Sequence, residues 1–234
     1  MADGHYIVGL DLGQSRDPTA IAVLRRLAAF GGANANLLFE DGTELYQCGH
    51  LERLPLGTSY PAVVAHVRGL LERLPRGTEL VIDFTGVGRP VFDMFENSGI
   101  DPIGVLISGG AKESGDGRIF TVPKLTLISW VQALLHQERL KIHRALPEAK
   151  ALVKELEDFR VDFTAAGHMT FNARSGTHDD LLLALAIAAW RAKVAAGPAL
   201  LRFHQAQVHG ARARLGPRSR VQVRRRLGAG RRER

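Results

Sequence analysis

Ile7-Val8-Gly9-Leu10-Asp11-Leu12-Gly13, running on to Asp17, and Leu80-Val81-Ile82-Asp83-Phe84-Thr85-Gly86-Val87-Gly88 are two versions of one pattern. In each, an apolar run of strand-forming residues ends on a carboxylate, with glycine close behind. A strand apolar at consecutive positions is buried on both faces, so it belongs in the middle of a sheet with helices on either side. A carboxylate at the end of such a strand carries a desolvation cost unless it is paired or metal-bound. A third signature, Gly176-Thr177-His178-Asp179-Asp180, precedes a long apolar helix. A fold that gathers these three ends makes a carboxylate cage. All-oxygen cages suit Mg²⁺ or Mn²⁺, the ions of two-metal phosphodiester hydrolysis.

Working outward, residues 19–27 read as a second strand, and Gly31-Gly32-Ala33-Asn34-Ala35-Asn36 as a turn cluster. Strands at 37–40 and about 44–51 complete an antiparallel meander. Pro61 opens a helix over 61–74, with Val63, Val64, Val67, Leu70, Leu71 and Leu74 at helical spacing. The strand 79–84, a helix over 90–97 and a strand at 102–107 follow. The stretch 109–117 is glycine-rich and polar and reads as a loop. Then come a helix over 123–137, a short strand at 140–142, a helix over 147–159, a hairpin around 161–171 and a last helix over 179–195. A meander followed by alternating helices and strands is the pattern of an α/β fold with a mixed central sheet.

The chain has 234 residues, 45% of them hydrophobic, enough for one large α/β domain. Its single cysteine, Cys48, rules out an intrachain disulfide and a cysteine-based zinc site. The N-terminus lacks a basic stretch followed by an apolar run, so no signal peptide is expected. The longest apolar run, 181–190, is half the ~20 residues a membrane span needs. Charge is uneven. Residues 201–234 hold eleven arginines, no lysine and one acid, against a net charge of +7 for the whole chain. The body is therefore slightly acidic. The tail, with Arg224-Arg225-Arg226 at its centre, reads as an arm that contacts polyanions, or as a merely solvated terminus. The expected boundaries are a domain over 1–196 and a basic tail, disordered or partly helical, over 197–234.

Each acidic position also has a plain reading. Asp11 suits a turn, and Asp17 precedes Pro18 as turn formers do. Asp83 sits where burial is expected, and two buried aspartates on separate central strands suggest a shared site. Either Asp179 or Asp180 suits a helix N-cap. Successive helix residues point about 100° apart, so only one of the two projects fully into a common site. Asp180 is favoured as the direct ligand, with Asp179 as a partial or outer one and His178 beside them as a hydrogen-bonding neighbour. No G-x-x-x-x-G-K-[ST] occurs, which excludes a P-loop ATPase. Asp11-Leu12-Gly13-Gln14-Ser15 is shared in type with the actin and sugar-kinase ATPases, but this chain is too short for their paired domains.

Taken together, five pieces resemble the nuclease domain of phage terminase large subunits over about residues 6–195. They are Val8-Gly9-Leu10-Asp11 through Asp17-Pro18-Thr19-Ala20-Ile21, Ile82-Asp83-Phe84-Thr85-Gly86-Val87-Gly88-Arg89-Pro90-Val91, Val122-Pro123-Lys124, Glu155-Leu156-Glu157-Asp158-Phe159, and His178-Asp179-Asp180 with Ala184-Leu185-Ala186-Ile187-Ala188. The resemblance implies an RNase H-like fold, with metal ligands from the first strand, the fourth strand and the final helix. It implies Asp11, Asp83 and Asp180 as catalytic ligands of two Mg²⁺ or Mn²⁺ ions, with Asp179 close by and Asp17 at a further acidic position. It implies cleavage of double-stranded DNA, with Arg89, Lys112 and Lys124 as candidate grips on the phosphate backbone. The family's ATPase domain is missing from the sequence. A split subunit, prophage remnant or stand-alone nuclease is therefore expected, in the bacterial host cytoplasm, with a separate packaging ATPase, small terminase or portal protein as possible partners. The alternatives are a RuvC-type junction resolvase and a non-catalytic DNA-binding or motor-docking module.

Overall fold

Ile7, Val8 and Leu10 are fully buried, and this strand lies in the interior of a sheet as its composition requires. The computed structural model describes residues 4–13, 17–27, 44–86, 89–163, 169–173 and 178–196. All but Ala196 belong to one compact unit, Met1–Ala195. In chain order its elements are β1 (His5–Asp11), β2 (Ala20–Leu27), β3 (Leu45–Arg53), α1 (Tyr60–Leu71), β4 (Glu79–Asp83), α2 (Arg89–Asn97), β5 (Ile103–Ser108), β6 (Ser114–Asp116), β7 (Ile119–Pro123), α3 (Lys124–His136), β8 (Leu140–Ile142), α4 (Ala149–Asp158), β9 (Phe159–Phe163), β10 (Met169–Ala173) and α5 (Asp180–Ala195).

Eight strands form one mixed sheet in the order β6-β7-β5-β4-β1-β2-β3-β8, and β9 and β10 make a separate pair. The meander β1-β2-β3 is antiparallel. The strands β4, β5 and β7 join it parallel to β1, which gives the mixed α/β sheet expected from the sequence. Two cores cover the sheet. Ile7, Val81 and Val105 face α3, α4 and α5 through Leu127, Val131, Leu152 and the length of α5. Val8, Leu10 and Ile82 face α1 and α2 through Val63, Val67, Phe92 and Phe95.

The helix α5 is apolar all round because it is buried all round: residues Asp180 to Trp190 are all buried. It presses onto β1 at Gly9, where a Cβ would stand 2.0 Å from the Ala184 carbonyl oxygen. Glycine is needed there for close approach, and Ala20, Ala22, Ala184 and Ala188 keep the rest of that contact shallow.

The structure departs from the sequence reading in the glycine-rich stretch. Part of 109–117 is β6, an exposed edge strand paired antiparallel with β7. Its residues, Ser114-Gly115-Asp116, carry no apolar signal, since pairing with β7 alone makes them a strand. The expected strand at 37–40 and the tail 197–234, with Arg224, Arg225 and Arg226, lie outside the described residues. Among the described residues no helix is long and apolar enough to cross a membrane.

Candidate metal centre

One row of residues crosses the sheet at the level where β1 ends. Asp11 is in register with Asp83 on parallel β4 and with Ala20 on antiparallel β2. Ala20 in turn pairs with Arg53 on β3. Side chains alternate between faces, so Asp11 and Asp83 share the face of Ile7 and Val81, the face covered by α5. The N-terminus of α5 brings Asp180 to this row, and the Asp179 carbonyl accepts from Leu183 N at 2.8 Å as the helix begins. Carboxylates at a helix N-terminus interact favourably with its dipole.

Arg53 reaches this face only because β3 is irregular. The register with β2 shifts between Val23 and Leu24, which pair with His50 and Cys48, so Gly49 is an extra residue. This bulge switches the alternation: Tyr46 and Cys48 before it, and Leu51 after it, all face α5. A regular strand of the same residues, with no bulge at Gly49, would turn Arg53 to the opposite face.

Asp83, Asp180 and Asp179 are each held by a specific partner. Asp83 Oδ1 accepts from the Thr85 amide at 2.8 Å, and Thr85 Oγ1 accepts from the Ile107 amide at 2.7 Å. Gly86, at φ 83°, closes that turn in the left-handed region glycine favours. Arg53 Nε donates to Asp180 Oδ2 at 2.6 Å, and its Nη2 stands 3.4 Å from Oδ1. The same guanidinium bonds Glu155 Oε1 through Nη2, and Glu148 Oε2 at 3.3 Å through Nη1. Glu155 Oε2 accepts from the Leu182 amide at 2.7 Å. Lys124, the first residue of α3, donates to Asp179 Oδ2 at 2.5 Å. At the rim, His178 Nδ1 lies 3.1 Å from Asp17 Oδ1 and 4.0 Å from Asp180 Oδ1.

The charges are crowded. Burial pushes the Asp11 carboxyl well above the usual carboxylate range, Asp83, Asp180 and Asp179 push it further, and Lys124 partly opposes them. Burial also raises Asp83, against the hydrogen bonds from Thr85 and the charge of Lys124. Glu155 is pushed up to about 8, chiefly by burial and then by Asp180, although the Leu182 amide and Arg53 pull the other way. Asp11, Asp17, Asp179 and Asp180 line a cavity of about 340 Å³ at the carboxylate end of the row, with Tyr60 and Thr85 at its wall. As the side chains stand, no three His, Cys, Asp or Glu groups among the described residues are arranged to hold an ion; Asp180 and Asp179 are bonded to Arg53 and Lys124. The donor chemistry nonetheless fits a hard divalent cation: Asp83, Asp180 and Asp179 crowd Asp11 with negative charge that Lys124 only partly offsets, and such an ion relieves that repulsion.

The remaining candidates are scattered. Arg89 is exposed and pairs with Asp93 at 2.8 Å. Lys112 is exposed on the loop before β6. Lys124 stands inside the carboxylate cluster. Sequence reasoning missed Arg53, Glu155 and Thr85. A glycine inside a strand pattern signals a bulge, so Gly49 was the available clue to the facing of Arg53.

The sheet order and its acidic row define an RNase H-like α/β fold. No family model matches the chain. The chain is similar to terminase large subunits. It is 27% identical to the terminase large subunit of Thermus phage G20c over 188 residues, which are 80% of this chain and 31% of that protein. It thus spans about a third of the length of that relative. Among solved structures, it resembles the large terminase nuclease from thermophilic phage G20c with bound magnesium, at a TM-score of 0.57 and 23% identity, over 81% of this chain and 82% of that one. It also resembles a mutant nuclease domain of the large terminase subunit gp2 of bacterial virus Sf6 with manganese and beta-thujaplicinol, at a TM-score of 0.53 and 13% identity, over 81% and 89%. The fold is that of the large terminase nuclease domains.

Proposed function

We propose that this chain is a metal-dependent endonuclease that cuts double-stranded DNA by two-ion phosphodiester hydrolysis, of the kind used in phage DNA packaging. One observation carries the reading: Asp11 and Asp83 stand in register on adjacent parallel strands, with Asp179 and Asp180 brought over them by α5. The similarity to terminase large subunits supports it, as do the magnesium and manganese in the similar nuclease domains.

Asp11, Asp83 and Asp180 would hold the ions, with Asp179 at the edge of the set. Bound ions would supply Lewis acidity, lowering the pKa of a water and neutralising charge on the phosphate. Thr85 fixes Asp83 in place. Lys124 tempers the repulsion among the acids. The DNA substrate, a packaging complex of ATPase, small terminase or portal protein, the division into a nuclease domain over 1–196 and a DNA-contacting arm over 197–234, and residence in the bacterial host cytoplasm belong to the same proposal.

The test is plasmid cleavage with Mg²⁺ or Mn²⁺, comparing the wild type with Asp83→Asn. Nicking and linearisation by the wild type alone are expected. Equal cleavage by both proteins, or none by either when both are folded, would refute the reading.

A further inference from the structure

Arg53 crosses from β3 to Asp180 over Ala20, the small residue that separates it from Asp11 in the row. A guanidinium is planar and rigid, and it fixes the plane of a carboxylate in a way an ammonium does not. Here the short bond engages Asp180 Oδ2 at 2.6 Å, and Oδ1 is only loosely approached at 3.4 Å. Asp180 is 3% exposed, and what it exposes lines the cavity. Arg53 also meets Glu155 and Glu148, so three carboxylates share one guanidinium.

We infer that Arg53 is the positioning residue of the metal centre: it ties down Asp180 Oδ2, leaves Oδ1 as the oxygen for the ion, and is itself aimed by Glu155 and Glu148. This rests on the proposed nuclease reading for its purpose, but not for its geometry. A merely structural role would consist of neutralising buried Glu155. The two differ once both charges are removed, because a buried ion pair can be exchanged for apolar residues of similar volume without loss of the fold.

The experiment uses the full chain, Arg53→Lys and the double variant Arg53→Met/Glu155→Met. It measures Mn²⁺ binding by calorimetry, thermal unfolding without metal, and plasmid cleavage at saturating Mn²⁺. Arg53→Lys should unfold near the wild-type temperature and the double variant below it, since it strands the Leu182 amide and Asp180, yet both should stay folded and bind Mn²⁺ about 10–100-fold more weakly, the usual effect of removing a group that orients a metal ligand. Cleavage should fall with binding. Wild-type Mn²⁺ affinity in the folded double variant would overturn the inference and leave Arg53 a charge partner of Glu155. If the variants lose Mn²⁺ affinity but the wild type, though it binds Mn²⁺, cuts no DNA, the role of Arg53 stands and the nuclease reading falls. A wild type that binds no Mn²⁺ overturns both.

Discussion

Replacing Asp11 by asparagine should make the metal-free protein more stable while abolishing cleavage. Asn matches Asp in shape and removes the charge. Adjacent strands lie ~4.8 Å apart, so with Asp11 and Asp83 in register the two charges are ~5 Å apart, and at an effective dielectric of ~20 they repel by about 3 kcal/mol. Lys124 offsets part of this, which leaves about 2 kcal/mol as the expected gain. The protein can also escape the cost by protonating Asp11, which caps the gain at pH 7 near 4 kcal/mol, or ~1.4 kcal/mol for each pH unit above the ordinary value of 3.8. The sign follows from the raised pKa of the folded carboxyl. The cost is absent below pH 3.8, grows as pH rises, and levels off above the folded pKa. For a domain of this size 2 kcal/mol corresponds to about 4–8 °C in unfolding temperature. Calorimetric melting at pH 4 and pH 7, with and without Mg²⁺, checks it. The variant should lead at pH 7 without metal and match the wild type at pH 4, and Mg²⁺ should raise the wild type alone. Equal melting at pH 7, or a difference unchanged at pH 4, would refute the electrostatic account.

Two further outcomes follow from the same geometry. Gly9→Ala places a Cβ 2.0 Å from the Ala184 carbonyl oxygen, a backbone atom with no room to yield. It should cost 1–3 kcal/mol or more, as overpacking does, and weaken Mn²⁺ binding by shifting Asp180, both measurable on one purified variant. Glu155 ionises near 8 in the folded chain against 4.5 ordinarily, so the wild type should lose stability as pH rises from 4.5 to about 8. In Glu155→Gln that slope should flatten, and denaturant melts across the range would expose an unchanged slope.

The centre of the sheet was legible because burial writes itself into consecutive apolar residues, as in β1 and β4, and both strands carry their acids at the same end. The edge was not. Ser114-Gly115-Asp116 becomes a strand through hydrogen bonds to β7, and no side-chain pattern records that. The end of β3 was read two residues short for a related reason. Past Gly49 the bulge changes which residues face α5, and the last inward position goes to a charged residue whose partner lies 127 positions away. The two adjacent aspartates make the same point about the site. Helical geometry says that they diverge, and the structure shows where each goes: Asp180 to Arg53, Asp179 to Lys124. Acids at strand and helix ends are local features and can be read from a sequence. The cations that aim them arrive from other elements, so they become visible only when register, bulge and helix docking are known together. A carboxylate cluster read from sequence therefore gives a donor inventory, and how much of it a metal can use depends on residues such as Arg53 that bear no local mark.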